Sequence, residues 1–92
     1  MKIFPGSVVE IINLTKLVID RGFHHDIRLN QRMSVYCLSK EKIFDSLTKE
    51  CLGYLEIYKG TGKVIDIQQQ TSVIEFEHIF QEPSIGDLVK PI

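Results

Sequence analysis

Three histidines, two cysteines and one glycine-rich segment are the residues of this chain best suited to binding a metal, attacking a substrate or cradling a phosphate. His24-His25-Asp26 is the densest cluster, and imidazole and carboxylate are good ligands for divalent cations. Consecutive residues of an extended chain point in opposite directions, so the pair needs His78 or another distant residue to complete a ligand set. No full set is visible, and the segment is expected to be an exposed polar loop without metal. His78 falls in register with Ile74, Phe76 and Phe80 and reads as a hydrogen-bonded boundary residue. Cys37 and Cys51 stand fourteen positions apart with no second pair, a poor zinc spacing. They read as free, partly buried thiols, with a bridge across adjacent strands as the alternative.

Tyr58-Lys59-Gly60-Thr61-Gly62-Lys63-Val64 contains the Gly-Lys pair of a phosphate-binding loop. Such a loop also needs a glycine five positions before that pair and a Ser or Thr after the lysine. Ile57 and Val64 occupy those places, so a turn or a bend within one long strand is expected. No serine or cysteine has an evident base, which leaves nucleophilic catalysis without support. No catalytic, cofactor-binding or metal-binding residue is therefore assigned, no cofactor is expected, and the chain does not read as an enzyme. Asn13-Leu14-Thr15 matches a glycosylation sequon but is expected to be a hairpin turn. Tyr36, Tyr54 and Tyr58 fall on the outer face of neighbouring strands, as an interface patch or as ordinary sheet packing.

The elements that position these residues are short apolar segments rich in β-branched side chains and separated by turns. Ser7 to Leu14 and Leu17-Val18-Ile19 make a hairpin, and Gly22 ends it. Phe23 to Gln31 is irregular. A strand runs from about Arg32 to Leu38, with Met33, Val35 and Cys37 on one face and Ser34 and Tyr36 on the other. Ser39 to Glu50 is either a short helix around Lys40 to Leu47 or a long hairpin tip turning at Asp45-Ser46. Strands follow at Leu52 to Tyr58, Lys63 to Gln69 and Ser72 to Phe80, then a short closing strand at Leu88-Val89. Along Ser72 to Phe80, the apolar Ile74, Phe76 and Phe80 alternate with Glu75, Glu77 and Ile79. The fold expected is all-β: a small closed or partly open barrel of about six short antiparallel strands with at most one short helix.

At 92 residues the chain fits one domain, residues 1–92. A core this small is marginal, so association with copies of itself would help. The 43% hydrophobic and 25% charged residues exclude a disordered chain. A net charge of −1 disfavours nucleic-acid binding, which normally needs an excess of Lys and Arg. An oligonucleotide-binding barrel that stacks bases on the tyrosines is the rival reading. No stretch has the length of a membrane span or signal peptide, and the expected compartment is the cytoplasm.

The order of several segments resembles a family of small bacterial β domains. Leu17-Val18-Ile19-Asp20-Arg21-Gly22, Arg32-Met33-Ser34-Val35-Tyr36, Ile43-Phe44-Asp45, Leu52-Gly53-Tyr54-Leu55-Glu56 and Gly60-Thr61-Gly62-Lys63-Val64 follow that family's sequence of motifs. Gln68-Gln69-Gln70-Thr71-Ser72 is similar to its closing piece, and the match spans about Val9 to Phe76. The family includes stand-alone proteins and is similar to the C-terminal domain of flagellar assembly protein T. The resemblance implies a non-catalytic β-barrel used in interaction or assembly, with an unspecified protein partner or homo-oligomer, and it favours a hairpin at residues 39–50. Asp26 and Asn30 stand where the family has glycine, and both tolerate left-handed conformations. Ser46 and Lys49 replace the hairpin's proline and glycine, so its tip is expected to be longer here or helical.

Overall fold

A computed structural model describes residues 3–92. Six strands follow in chain order: β1 (Gly6–Asn13), β2 (Lys16–Ile19), β3 (Arg32–Phe44), β4 (Cys51–Ile67), β5 (Ser72–Ile79) and β6 (Leu88–Pro91). All pairings are antiparallel, and the order β1-β2-β5-β4-β3-β6 closes into a barrel as expected. β6 completes the ring, pairing Gly6 with Val89 on β1 and Val35 with Val89 on β3. The only helical element among the described residues is a single 3-10 turn, Phe23–His25. None of their helices is long and apolar enough to cross a membrane.

Alternation along the strands fills the interior. Val8, Leu17, Ile19, Met33, Val35, Val64, Ile74, Phe76 and Val89 form the core with Ile27 from the β2–β3 loop. Each fully buried aliphatic side chain is worth about 1.5–3 kcal/mol in transfer terms. Ile74 and Phe76 are buried, as their alternation predicts. Gly60 and Gly62 sit inside β4, where a Cβ would lie 2.5 Å from the His78 and Glu75 carbonyl oxygens respectively. The pair therefore marks a close approach of β5 within one continuous strand; of the two alternatives, a turn or a bend within one long strand, the single long strand holds.

Bulges shape the ring and correct the periodicity. Gly62 pairs with Phe76 and Thr61 with His78, leaving Glu77 as an extra residue on β5. The alternation shifts there. His78 leaves the apolar face and is exposed, and Phe80, expected beside Ile74 and Phe76, is 65% exposed just beyond the strand. Val9, Ile12 and Ile65 are likewise extra residues between paired neighbours, and all three are exposed aliphatics. The loop between β2 and β3 is bound to the β4–β5 turn by Phe23 N donating to Gln68 O at 2.8 Å and His24 N to Gln69 O at 3.0 Å. Asp26 and Asn30 take left-handed conformations at φ 59° and 65°.

The main departure from a compact barrel is the β3–β4 hairpin. β6 leaves β3 after Tyr36, and β5 leaves β4 before Lys59, yet β3 and β4 stay paired out to Phe44 and Cys51. The molecule accordingly measures 47 × 30 × 19 Å. Residues 39–50 form the far part of a hairpin, and the helical alternative for Lys40 to Leu47 does not occur.

Candidate functional site

The hairpin arm begins at a bulge. Val35 pairs with Gly60 and Tyr36 with Tyr58, so Lys59 is the extra residue on β4. Val35 faces the core, and the shift at Lys59 places Tyr36 and Tyr58 together on the outer face. Lys59 is anchored from the side: its Nζ lies 3.1 Å from Asp87 Oδ2, with the two side chains 12% and 6% exposed. Asp87 Oδ2 also accepts Ser84 N–H at 2.7 Å. Phe80 N and Gln81 N both donate to Lys59 O, at 2.8 and 3.0 Å. The arm therefore leaves the barrel from a fixed root. A nearly buried ion pair of this kind fixes geometry more than it adds stability.

Outward from the root lies a polar and aromatic cluster. The Tyr36 and Tyr58 rings stand 5.8 Å apart, and Lys90 Nζ lies 4.8 and 5.3 Å from their centroids. Lys90 reaches across to Glu56, donating to its two carboxylate oxygens at 2.6 and 3.1 Å. Glu56, first, and then Tyr58 hold the Lys90 ammonium above the usual lysine range. Burial raises the Tyr36 phenol, with Lys90 opposing it. Tyr36 is only 6% exposed, while Tyr58 and Tyr54 are 41% and 44% exposed. The three tyrosines therefore do not form one open surface; Tyr36 is covered.

Past Glu56 the arm has, among the described residues, only its own two strands. Leu38, Ile43, Phe44, Leu52, Tyr54 and Leu55 are all exposed along it. Three residues of β3, Ser39 to Glu41, stand against one of β4, and Ser39 Oγ accepts Leu55 N–H there at 2.9 Å. Asp45 closes the tip, its Oδ1 accepting from Leu47 N and Thr48 N at 2.8 and 2.9 Å. These bonds lower the Asp45 carboxyl below its ordinary value of 3.8. Lys49 holds a left-handed φ of 62° in this turn. Leu47, at the extremity, is 91% exposed. An isolated two-stranded hairpin is marginally stable in water.

A second apolar feature lies at the same end of the barrel. Leu14, Ile79, Phe80, Gln81, Glu82 and Pro83 line an open pocket of about 290 Å³. Phe80 and Gln81 are the residues whose amides meet the arm's root.

The chemistry singled out in the sequence is dispersed. His24 lies beside Gln69 at one end of β5, whereas His78 pairs with Thr61 at the other. Six residue steps of strand from Ser72 to His78 separate those ends by roughly 20 Å. His25 is engaged locally, its Nδ1 accepting Gly22 N–H at 3.0 Å. No three His, Cys, Asp or Glu side chains converge among the described residues. Cys37 pairs with Ile57 near the root and Cys51 with Phe44 near the tip, and both are free thiols. The sequence reading missed the Lys59–Asp87 anchor and the arm's length. Unbroken apolar spacing from Leu52 to Tyr58 was a signal for the strand, but nothing in it marked the absence of a covering layer. No protein-family model matches the chain, and no curated protein matches it.

Proposed function

We propose that this chain is a non-catalytic interaction or assembly module, with the β3–β4 arm as its contact element. The observation that carries the reading is the row of exposed apolar residues on a two-stranded arm held by a rigid root. The resemblance to the small bacterial β domains supports it: Asp26, Asn30 and Lys49 all adopt left-handed conformations where that family has glycine. The reading assigns no catalytic residues and no cofactor.

The nucleic-acid alternative draws less support. Tyr36 is covered by Lys90 and unable to accept a stacked base. The net charge of −1 gives no electrostatic footprint for phosphates.

Triple substitution of Phe44, Leu47 and Leu52 by serine tests the reading. The expected outcome is an unchanged melting temperature with loss of association, followed by sedimentation and by co-purification of the native partner. A large fall in melting temperature would make the arm part of the core. Unchanged association would move the contact surface elsewhere.

A further inference from the structure

The arm offers one stretch of strand edge with the features of a pairing site. On the β3 side, the edge is interrupted by the Ser39–Glu41 irregularity and carries Lys40, Glu41 and Lys42. Lysines and bulges are common protections of a free edge. The β4 side differs. β5 stops at Ile79, opposite Gly60, and from Tyr58 outward β4 has no paired strand on that side among the described residues. Between the bulge at Lys59 and the left-handed Gly53 (φ 94°), β4 runs five residues with no extra residue of its own; the shift opposite Leu55 is taken up entirely by Ser39–Glu41 on β3. The five residues read Tyr54-Leu55-Glu56-Ile57-Tyr58.

That segment is a chemical palindrome: aromatic, aliphatic, carboxylate, aliphatic, aromatic. A two-fold interface requires self-complementarity, with residue i meeting j and j meeting i. Antiparallel pairing of two copies centred on Glu56 sets Tyr54 opposite Tyr58 of the second copy and Leu55 opposite Ile57 of the second copy. Aromatic and aliphatic cross-strand pairs of this kind are favourable. The centre brings the two Glu56 carboxylates together, which alone would repel. Each, however, is held by its own chain's Lys90 at 2.6 Å, so the centre carries two ammonium groups for two carboxylates. The root pair Lys59–Asp87 is also internally neutral. The patch therefore meets its own copy without net like charge.

Five strand pairs make a small interface for a stable dimer. The same register supplies more. It places Gly53 of the second copy opposite Lys59, the residue whose carbonyl binds the Phe80 and Gln81 amides. Beyond that point the left-handed bend at Gly53 turns the incoming tip off the line already taken by β5. The pocket lined by Leu14, Ile79, Phe80 and Pro83 opens beside that point, an apolar seat suited to Leu52 and Leu47 of the incoming tip. By symmetry this happens twice.

We infer that the occupant of the β4 edge is a second copy of this chain, paired antiparallel about Glu56, with each arm tip seated in the other copy's pocket. The inference rests on the reading of the arm as the contact element and names its partner.

Cysteine cross-linking in the full chain, with Cys37 and Cys51 replaced by serine, tests it. Opposed residues of antiparallel strands have Cα atoms about 4.5–5.5 Å apart, within disulfide range. Glu56→Cys is expected to give a covalent dimer on mild oxidation, whereas Leu55→Cys, whose counterpart is Ile57, is expected to remain uncoupled. Lys90→Gln should weaken the dimer roughly tenfold by exposing the two carboxylates to each other, and adding Glu56→Gln should restore it. Cross-linking through Leu55→Cys but not Glu56→Cys would overturn the register while keeping the arm as the association element. A dimer that links at neither position and ignores the serine substitutions would overturn both. A chain that stays monomeric at all concentrations, yet needs the arm to bind another protein, would overturn this inference alone.

Discussion

β3 and β4 belong to two environments within one pair of strands. At Val35 and Gly60 they are one wall of a closed ring, with β6 on one side, β5 on the other and the core behind. A few residues farther out, at Leu38 and Glu56, the same pairing continues without either neighbour. Sequence type changes little across the boundary: Val-Tyr-Cys-Leu on β3 and Leu-Glu-Ile-Tyr on β4 are, Glu56 apart, apolar or aromatic segments suited to a strand. The difference lies in burial. Barrel side chains are stabilised by the interior whether or not the protein meets a partner. Arm side chains gain that stabilisation only when something covers them.

The largest expected effect compares one phenylalanine from each region. Phe76→Ala should cost about 3–5 kcal/mol in chemical denaturation, because its ring is nearly buried against the Gly60 face. Phe44→Ala should change the monomer's stability by less than about 0.5 kcal/mol, since the ring is 57% exposed. Equal losses at the two sites would erase the distinction. Next comes the root that joins the regions. Asp87→Ala leaves the Lys59 ammonium without its carboxylate in a largely buried site, and roughly 3 kcal/mol of destabilisation is expected. A loss near zero would mean that water serves Lys59 as well as Asp87 does.

Smaller effects belong to the tip. Lys49→Gly should stabilise the arm by up to about 1 kcal/mol by relieving a left-handed backbone conformation, visible as slower amide exchange in residues 44–51. The Asp45 carboxyl is lowered in the folded chain by its bonds to the Thr48 and Leu47 amides. Its contribution is thus present above the ordinary value of 3.8 and lost as pH falls through the lower folded value. The Leu47 and Thr48 amides should lose protection in that acidic window. Protection that persists at still lower pH would assign the turn's order to backbone bonds alone.

Much of the barrel was legible because its interior obeys a period of two. Ile74 and Phe76, and Met33 and Val35, announced their faces directly. Legibility failed at the bulges. An extra residue leaves no mark in composition, so alternation read through Glu77 carried Phe80 and His78 onto a face they do not occupy. The glycines at 60 and 62 read equally as turn or bend, because their requirement comes from the β5 backbone, a neighbour distant in sequence. Tyr36 shows the same limit: outward by parity, it is buried by Lys90 and Tyr58 from other strands. The candidate site was visible only as a strand with apolar residues on both sides. That pattern belongs to a buried strand as much as to an exposed arm.

The central claim is that the β4 edge from Tyr54 to Tyr58 is covered by association, and concentration-dependent hydrogen exchange on the intact chain addresses it most directly. At high dilution the amides of this segment should exchange rapidly while those of Val64, Ile74 and Val35 stay protected. As concentration rises, protection should appear at Tyr54 to Tyr58 and in the Ile79–Pro83 segment together, leaving the barrel unchanged. Exchange from Tyr54 to Tyr58 that stays equally fast at every concentration would contradict the account.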